Sequence, residues 1–402
     1  NIFWLFCFFY QFVFIHINSP NLFIIQENKI RTILSKRKID VTIINIFIDG
    51  TLPLKHLKSM NKKMELNISI DVGGTNTRLQ FETIHNGKKI ETSEIFKAKI
   101  DSKQKLQELI RNSISKQKQL PDRCTIGFAG IVLNKNEVNL TRWQDKKEIT
   151  LQDLYDCGLP KNKTLMLNDM ELAGYGFLSS EESGYKFKKM YEPQIKTQTE
   201  PERLRSVLLA PGTGFGTTGV ISGKTKFGEK YYEVIPSEVQ HITVSALDEK
   251  HEKILRWMKN KLKLSYLPSW EDFVSGNGLE LTYQGLIELY YPKMKTGKLS
   301  AEQIAEKALK DEICKEALDI FYRCAGKLTQ VIALFFRPFN GIYLCGTTTL
   351  KNAELIKQSG FMEELQKSTD RAAILKLFPV YIIDDEDINI KGGLWVCRNM
   401  IG

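Results

Sequence analysis

The stretch LNISIDVGGTNTRLQF, residues 66–81, decides how the rest of the chain is read. Leu66 to Gly73 alternates apolar and polar side chains, carries β-branched residues and stops at a Gly-Gly pair, which predicts a strand entering a turn. Residues 78–84 (RLQFETI) predict the returning strand, and NGKK at 86–89 a hairpin turn after it. Glycines between two strands permit positive φ and let backbone N–H groups approach an anion with no Cβ in the way. Thr75 adds a hydroxyl donor, and Asp71, at the strand end, is a hard oxygen ligand placed to hold Mg2+ through water. A lone Gly-Gly-Thr would be an ordinary hairpin. The full D-x-G-G-T-N-x-R from Asp71 to Arg78 is far more specific.

The pattern returns about 140 residues later in SVLLAPGTGFGTTGVISG, residues 206–223, where two apolar runs flank Gly212, Thr213, Gly214 and Gly216. Two such units suggest two similar lobes facing each other, each able to grip one side of a polyphosphate. Neither turn matches the Walker loop, and neither opens a dinucleotide-binding βαβ unit. Between and after them, strands alternate with helices, which argues an α/β fold. Leu106, Leu109, Ile110 and Ile114 mark an amphipathic helix over 103–118. Short apolar strands are predicted at 124–132, 163–169, 341–345 and 378–384, and helices at 170–180, 248–263, 275–291, 300–337 and 391–402. The charged, irregular stretch 181–205 is the candidate linker.

Further residue groups carry chemistry. Asn168-Asp169 stands where a strand meets a helix, so Asp169 can serve as a base toward a hydroxyl, although Asn and Asp also cap helices routinely. Glu238 and His241, spaced i, i+3, and Glu271 supply carboxylate and imidazole, the groups that take adjacent hydroxyls of a polyol. Glu-x-x-His with no further ligand nearby falls short of a metal site.

From about Leu66 to Ile401 the chain resembles the bacterial-type glucokinases of the hexokinase–actin–heat-shock-ATPase superfamily. IDVGGTNTRL is similar to their first phosphate motif, LNDMELAGYG to the catalytic segment, and APGTGFG to the second phosphate loop. SEVQHI stands at the sugar motif Glu-Gly-Gly-His, and WEDFVSGNGL at a second sugar segment. IYLCGTTTL resembles the adenosine-loop strand, and FPVYIIDDEDINIKGGLWV the C-terminal segment. The resemblance implies a two-lobed actin-like ATPase (ribonuclease H-like) α/β fold with an interlobe cleft. Its small lobe would be 64–178 plus about 385–402, and its large lobe 179–384. It implies transfer of the ATP γ-phosphoryl group to the 6-hydroxyl of glucose, feeding glycolysis in the cytoplasm. Asp169 would be the base. Asn168, Glu238, His241 and Glu271 would join it in binding glucose. Asp71, Gly73, Gly74, Thr75, Asn76, Gly212, Thr213, Gly214, Gly216, Gly346 and Thr347 would bind the nucleotide, and Asp71 would reach Mg2+ through water. Mannose, fructose or an amino sugar as substrate, and a sensor that binds sugar without turnover, are the alternatives; a homodimer is left open.

Departures from the family pattern are local. Val239-Gln240 replaces Gly-Gly, Gly346-Thr347 replaces Gly-Gly, and Asn139 is offset from the usual T-N-x-x-W although Trp143 is kept. The zinc segment of related sugar kinases and repressors is missing.

The 402 residues carry a formal charge of +10, which on its own would suggest nucleic acid or an anionic membrane. Residues 1–63, however, hold nine Lys/Arg against three Asp/Glu, so the remainder is close to neutral. Neither a nucleic acid nor a membrane is therefore expected as a partner. The chain opens NIFWLFCFFYQFVFIHI, at the lower edge of a membrane-span length, with neither a basic flank nor a cleavage site. About half of residues 1–63 are Phe, Ile, Asn or Lys. This leader reads as translated A/T-rich upstream sequence with the start at Met60 or Met64; a membrane anchor is the alternative. Seven scattered cysteines predict reduced thiols.

Overall fold

The computed structural model describes residues 64–401, apart from Thr75, 141–142, 144–147, 185, 196–202 and 295–296, together with the backbone of 3–7 and 12–16. The chain divides into two compact units, Asn1–Lys63 and Met64–Gly402. In the first, the apolar opening run forms two antiparallel strands, β1 (Phe3–Cys7) and β2 (Phe12–His16). Among the described residues no helix is long and apolar enough to cross a membrane.

The second unit is built on two sheets of one design. The first comprises β3 (Glu65–Val72), β4 (Thr77–His85), β5 (Lys88–Thr92), β6 (Phe96–Ala98), β7 (Arg123–Phe128) and, beyond a small side sheet, β11 (Thr164–Asn168). The side sheet holds β8 (Val132–Leu133), β9 (Glu137–Asn139) and β10 (Glu148–Thr150). The spatial order is β11-β7-β3-β4-β5, with β11, β7 and β3 parallel and β4 and β5 antiparallel. The β4–β5 turn places Asn86 and Gly87 at positive φ, the two-residue hairpin that Asn-Gly predicts. Helices α1 (Lys103–Ser115) and α2 (Leu151–Tyr155) belong to this half. α1 buries Leu106, Ile110 and Ile114, the face its periodicity marks, in the core that Ile68, Ile70 and Ile126 line.

Helix α3 (Asp169–Ser183) leads to the second sheet. Its strands are β12 (Phe187–Tyr191), β13 (Leu204–Pro211), β14 (Phe215–Lys224), β15 (Lys230–Ser237), β16 (Gly341–Leu344) and β17 (Val380–Ile383), in the order β12-β17-β16-β13-β14-β15. Here too the first strand of the pair, β13, is parallel to β16 and antiparallel to β14, so the second glycine turn repeats the first in topology as well as in sequence. Helices α4 (Glu249–Lys261), α5 (Trp270–Phe273), α6 (Gly276–Tyr290), α7 (Ala301–Lys307) and α8 (Glu312–Phe336) follow β15 and build the largest core, around Trp270, Phe273, Leu286 and Leu328. Four short helices, α9 (Thr347–Lys351), α10 (Ala353–Gln358), α11 (Phe361–Gln366) and α12 (Ala372–Leu375), lie between β16 and β17. The last helix, α13 (Ile388–Asn399), packs on α3 and on β3.

The α3–α13 crossing is backbone against backbone. A Cβ on Gly176 would strike the carbonyl of Ile388, and one on Gly392 the carbonyl of Leu172, so no larger residue fits the crossing as it stands.

Three sequence expectations need correction. The 181–205 stretch is not wholly linker, because Phe187–Tyr191 pairs with β17 at a sheet edge. The strand predicted over 124–132 ends at Phe128, where the chain turns before β8. The helical stretch 300–337 is broken at Asp311, whose side chain accepts from the N–H groups of Ile313 and Cys314 to start α8 anew. Each of the six described cysteines is buried and free of disulfides, in keeping with reduced thiols.

Candidate active site

A cleft of about 590 Å³ opens where the two glycine turns and the start of α3 come together. Gly74 contributes to its lining from the first turn, and Thr213, Gly214 and Gly216 from the second. Asn168, Asp169, Glu238, His241 and Glu271 line it as well. Sequence positions more than a hundred residues apart thus share one wall.

Asp169 is the first residue of α3, carried there by β11. Its side chain is half-buried, and desolvation raises its pKa to about 7, with the carboxylates of Asp71 and Glu238 adding to the rise; backbone N–H groups at the helix start oppose it. Asn168 caps this helix. Its Oδ1 accepts from the Met170 N–H at 2.7 Å, and its Nδ2 donates to the Gly130 carbonyl at 3.0 Å. Glu171 returns the bond to the Asn168 N–H, completing a capping box. The geometry therefore gives Asn168 the task of fixing the start of α3, while it also lines the cleft wall.

Glu238 stands just before a single 3-10 turn, Val239–His241, that follows β15. Its Oε2 lies 3.4 Å from His241 Nε2, the i, i+3 pairing expected from sequence. The next residues join this turn to the Glu271 segment: the Trp270 N–H donates to the Ile242 carbonyl at 3.1 Å, and Thr243 bridges Ser269. Glu271 in turn leans on the second glycine turn. The Phe215 N–H lies 3.4 Å from its Oε2, and a Cβ on Gly214 would sit 3.2 Å from the same oxygen. A Cβ on Gly216 would sit 2.5 Å from Met170 Sδ, so this glycine makes room for the residue that follows Asp169.

Asp71, at the end of β3, is buried and does not line the cleft; burial raises its pKa, against the pull of the Asn389 amide (3.3 Å) and of Arg78 (3.9 Å). Arg78 also donates to the Glu386 carbonyl at 2.9 Å. Gly73 closes the first turn through its N–H to the Asn76 carbonyl at 3.0 Å. Thr75 lies outside the described residues. Gly212 borders the α9 segment, since a Cβ there would lie 3.8 Å from Thr348 Oγ1, and Gly346 holds φ +97 just before it. Gly212, Gly346 and Thr347 thus form a second patch beside the cleft. Despite its offset, Asn139 lines the cleft, and Trp143 is buried in the first core.

Sequence reading missed Asn389, Gln240 and Gly130 as partners of site residues. The first and third lie far away in sequence from the groups they hold. Only the Val-Gln departure signalled the second.

The model of one protein family, Glucokinase, matches residues 68–400. The chain belongs to the glucokinase family. A glucokinase from Neisseria meningitidis serogroup C is 30% identical over 201 residues, 50% of this chain; the chain thus spans only 58% of that relative's length. The glucokinase of Balamuthia mandrillaris, solved in complex with glucose, matches with a TM-score of 0.68 at 19% identity, over 84% of this chain and 94% of that one. A ROK-family glucokinase from Streptomyces griseus, solved with glucose and AMPPNP, matches with a TM-score of 0.52 at 18% identity, over 82% and 97%. The fold is the two-lobed, actin-like sugar kinase fold expected from the glucokinase resemblance.

Proposed function

We propose that this member of the glucokinase family transfers the γ-phosphoryl group of ATP to the 6-hydroxyl of glucose. The observation that carries the reading is the shared cleft, lined by a half-buried carboxylate, Asp169, together with Glu238, His241, Glu271 and residues of both glycine turns. Family membership and likeness to glucokinases solved with glucose and AMPPNP support it. We take residues 64–178 with about 385–402 as the small lobe and 179–384 as the large one.

In this reading the sugar's hydroxyls are held by Glu238, His241 and Glu271, with Asn168 at the edge. Asp169 orients the 6-hydroxyl and accepts its proton late, because phosphoryl transfer passes through a loose transition state that needs positioning more than deprotonation. The backbone N–H groups of both turns receive the phosphates, and the Gly212 and Gly346–Thr347 patch receives the rest of the nucleotide. Closure of the lobes excludes water, a competing acceptor.

Among the described residues no cluster of three or more His, Cys, Asp or Glu could cage a metal. Mg2+ bound through one or two carboxylates, water and substrate phosphates needs no such cage. Asp71 fits that role, because a buried carboxylate electrostatically coupled to Asp169 gains from a cation beside it. When bound, the ion would neutralise charge on the transferring phosphoryl group.

A cytoplasmic enzyme feeding glycolysis belongs to the same proposal, supported by the buried free thiols. A homodimer would cover the exposed apolar stripe Val331, Leu334 and Phe335 on α8, which sedimentation would reveal. A non-catalytic sensor is disfavoured, since the base and both glycine turns are in place in the sequence. The test is a coupled assay of the purified chain against a hexose panel with ATP, ADP and polyphosphate. Glucose with ATP should give the highest kcat/KM; no turnover on any hexose would defeat the reading.

A further inference from the structure

One stretch of the cleft lining takes no part in the chemistry derived so far. Residues 131–133 lead from Gly130, whose carbonyl holds the Asn168 amide at 3.0 Å, into β8. Side chains alternate along an extended chain. Val132 packs on the first core, and Ile131 and Leu133, on either side of it, line the cleft instead. Their exposures are 59% and 47%, whereas the other large apolar side chains of the lining, Met170 and Phe215, are buried. Two open aliphatic side chains on one edge of a cleft are not the singly scattered apolar residues of an ordinary surface. The same lining supplies Asp169, Glu238, His241 and Glu271, all of which can take hydroxyls. A pyranose matches such a mixed lining, with hydroxyls around its edge and C–H groups on its two faces. Small-molecule sites commonly combine apolar contact with a few orienting polar groups in this way.

We propose that Ile131 and Leu133 are specificity-determining residues that cover one C–H face of the bound sugar. The proposal rests on the hexose-kinase reading and narrows which sugars are accepted. Every ring hydroxyl of β-glucose is equatorial, so both faces present only C–H. The 2- and 4-epimers, mannose and galactose, raise an axial hydroxyl on one face; the 3-epimer, allose, raises it on the other. An aliphatic cover strips water from an axial hydroxyl and gives it no partner, so it rejects the epimers of its own face. A polar contact at the ring edge reads one hydroxyl at a time. A covered face instead ties mannose and galactose together and leaves allose out, or does the reverse.

The test measures kcat/KM of the full chain on glucose, mannose, galactose and allose at saturating ATP, comparing wild type with the double variant Ile131→Thr/Leu133→Thr. Both positions are exposed and threonine suits a strand, and the single variants repeat the measurement should the double one not fold. In wild type the epimers of the covered face should fall about tenfold to a hundredfold below glucose, the usual range for an apolar wall against an added hydroxyl. In the double variant that penalty should shrink about fivefold or more, for mannose and galactose together or for allose alone. An epimer too slow to detect in wild type should become measurable, and the KM for ATP should not move. Ile131→Val/Leu133→Ile, which keeps the apolar surface, should keep the wild-type ratios. An equal fall on all four sugars would mean a general part in closing the cleft, and unchanged ratios no part in recognition; either overturns the proposal while the kinase reading stands. A shift shared by all three epimers, or one that separates mannose from galactose, overturns it too. A wild-type chain inactive on every hexose overturns the kinase reading, and this one with it.

Discussion

The two glycine turns are the same motif used in two ways. Both join an antiparallel strand pair, β3–β4 in the first sheet and β13–β14 in the second, and both sheets share one strand order. The first turn is self-contained: Gly73 closes on Asn76, while Asp71 sits buried behind it. The second turn is a meeting place. Gly214 has Glu271 against it, Gly216 has Met170 against it, and Gly212 borders the α9 segment. A glycine that closes its own turn and a glycine that makes room for a neighbour look identical in sequence; their surroundings differ in the structure.

Perturbing Asp169, the proposed base, gives the largest expected effect. Asp169→Asn should lower kcat by about 10²–10⁴-fold, the usual range for a general base. Turnover close to wild type would remove Asp169 from the mechanism. Next comes the crossing of α3 and α13. Gly392→Ala should cost about 3 kcal/mol, the upper end of overpacking penalties, since a backbone carbonyl cannot step aside as a side chain can. A denaturation midpoint equal to wild type would show that α13 shifts freely on α3.

The helical core of the second half gives an effect of similar size but with a pH signature. His251 is buried, accepts from the Leu247 N–H at Nδ1 (3.0 Å), and approaches Cys324 Sγ through Nε2 (3.5 Å). It is therefore neutral in the fold, and burial depresses its pKa from 6.5 to about 4. The unfolded chain binds this proton below about pH 6.5 and the folded chain only below about 4. Its contribution to stability is complete above 6.5 and is lost as pH falls toward 4, by about 3 kcal/mol. Urea melts should show wild type losing more stability across that window than His251→Gln; equal losses would contradict the assignment.

The smallest effects separate the turns themselves. Gly214→Ala should raise the glucose KM about tenfold, one bond's worth of misplacement at Glu271. Gly73→Ala should act on the ATP KM and leave the glucose KM within twofold. If both variants moved the same constant, the division of labour would be wrong.

Much of this was legible in sequence. Glycines between β-branched runs marked both turns, and the 3.6-residue period marked α1. Asp169, Glu238, His241 and Glu271, picked by type and spacing, do share a cleft. What escaped has physical causes. β12 hid in a charged stretch because an edge strand carries exposed lysines, here Lys188 and Lys189, that protect it from pairing with other chains. Asn389 holds Asp71 from 318 residues away, a distance no local pattern spans. Asn168 met both readings at once, as a helix cap and as a cleft residue. The packing role of Gly216 lay in a neighbour, Met170, with no chemical signature of its own.

The α3–α13 crossing has a consequence at the level of the gene. Any codon change that alters Gly176 or Gly392 introduces a Cβ, and the first thing that Cβ meets is a main-chain oxygen. No partner mutation can shrink a main-chain oxygen. Unlike a core leucine, whose loss a larger neighbour can offset, these two sites admit no compensatory substitution. In a saturation library selected for growth on the substrate sugar, they should stay invariant whatever else in the chain drifts.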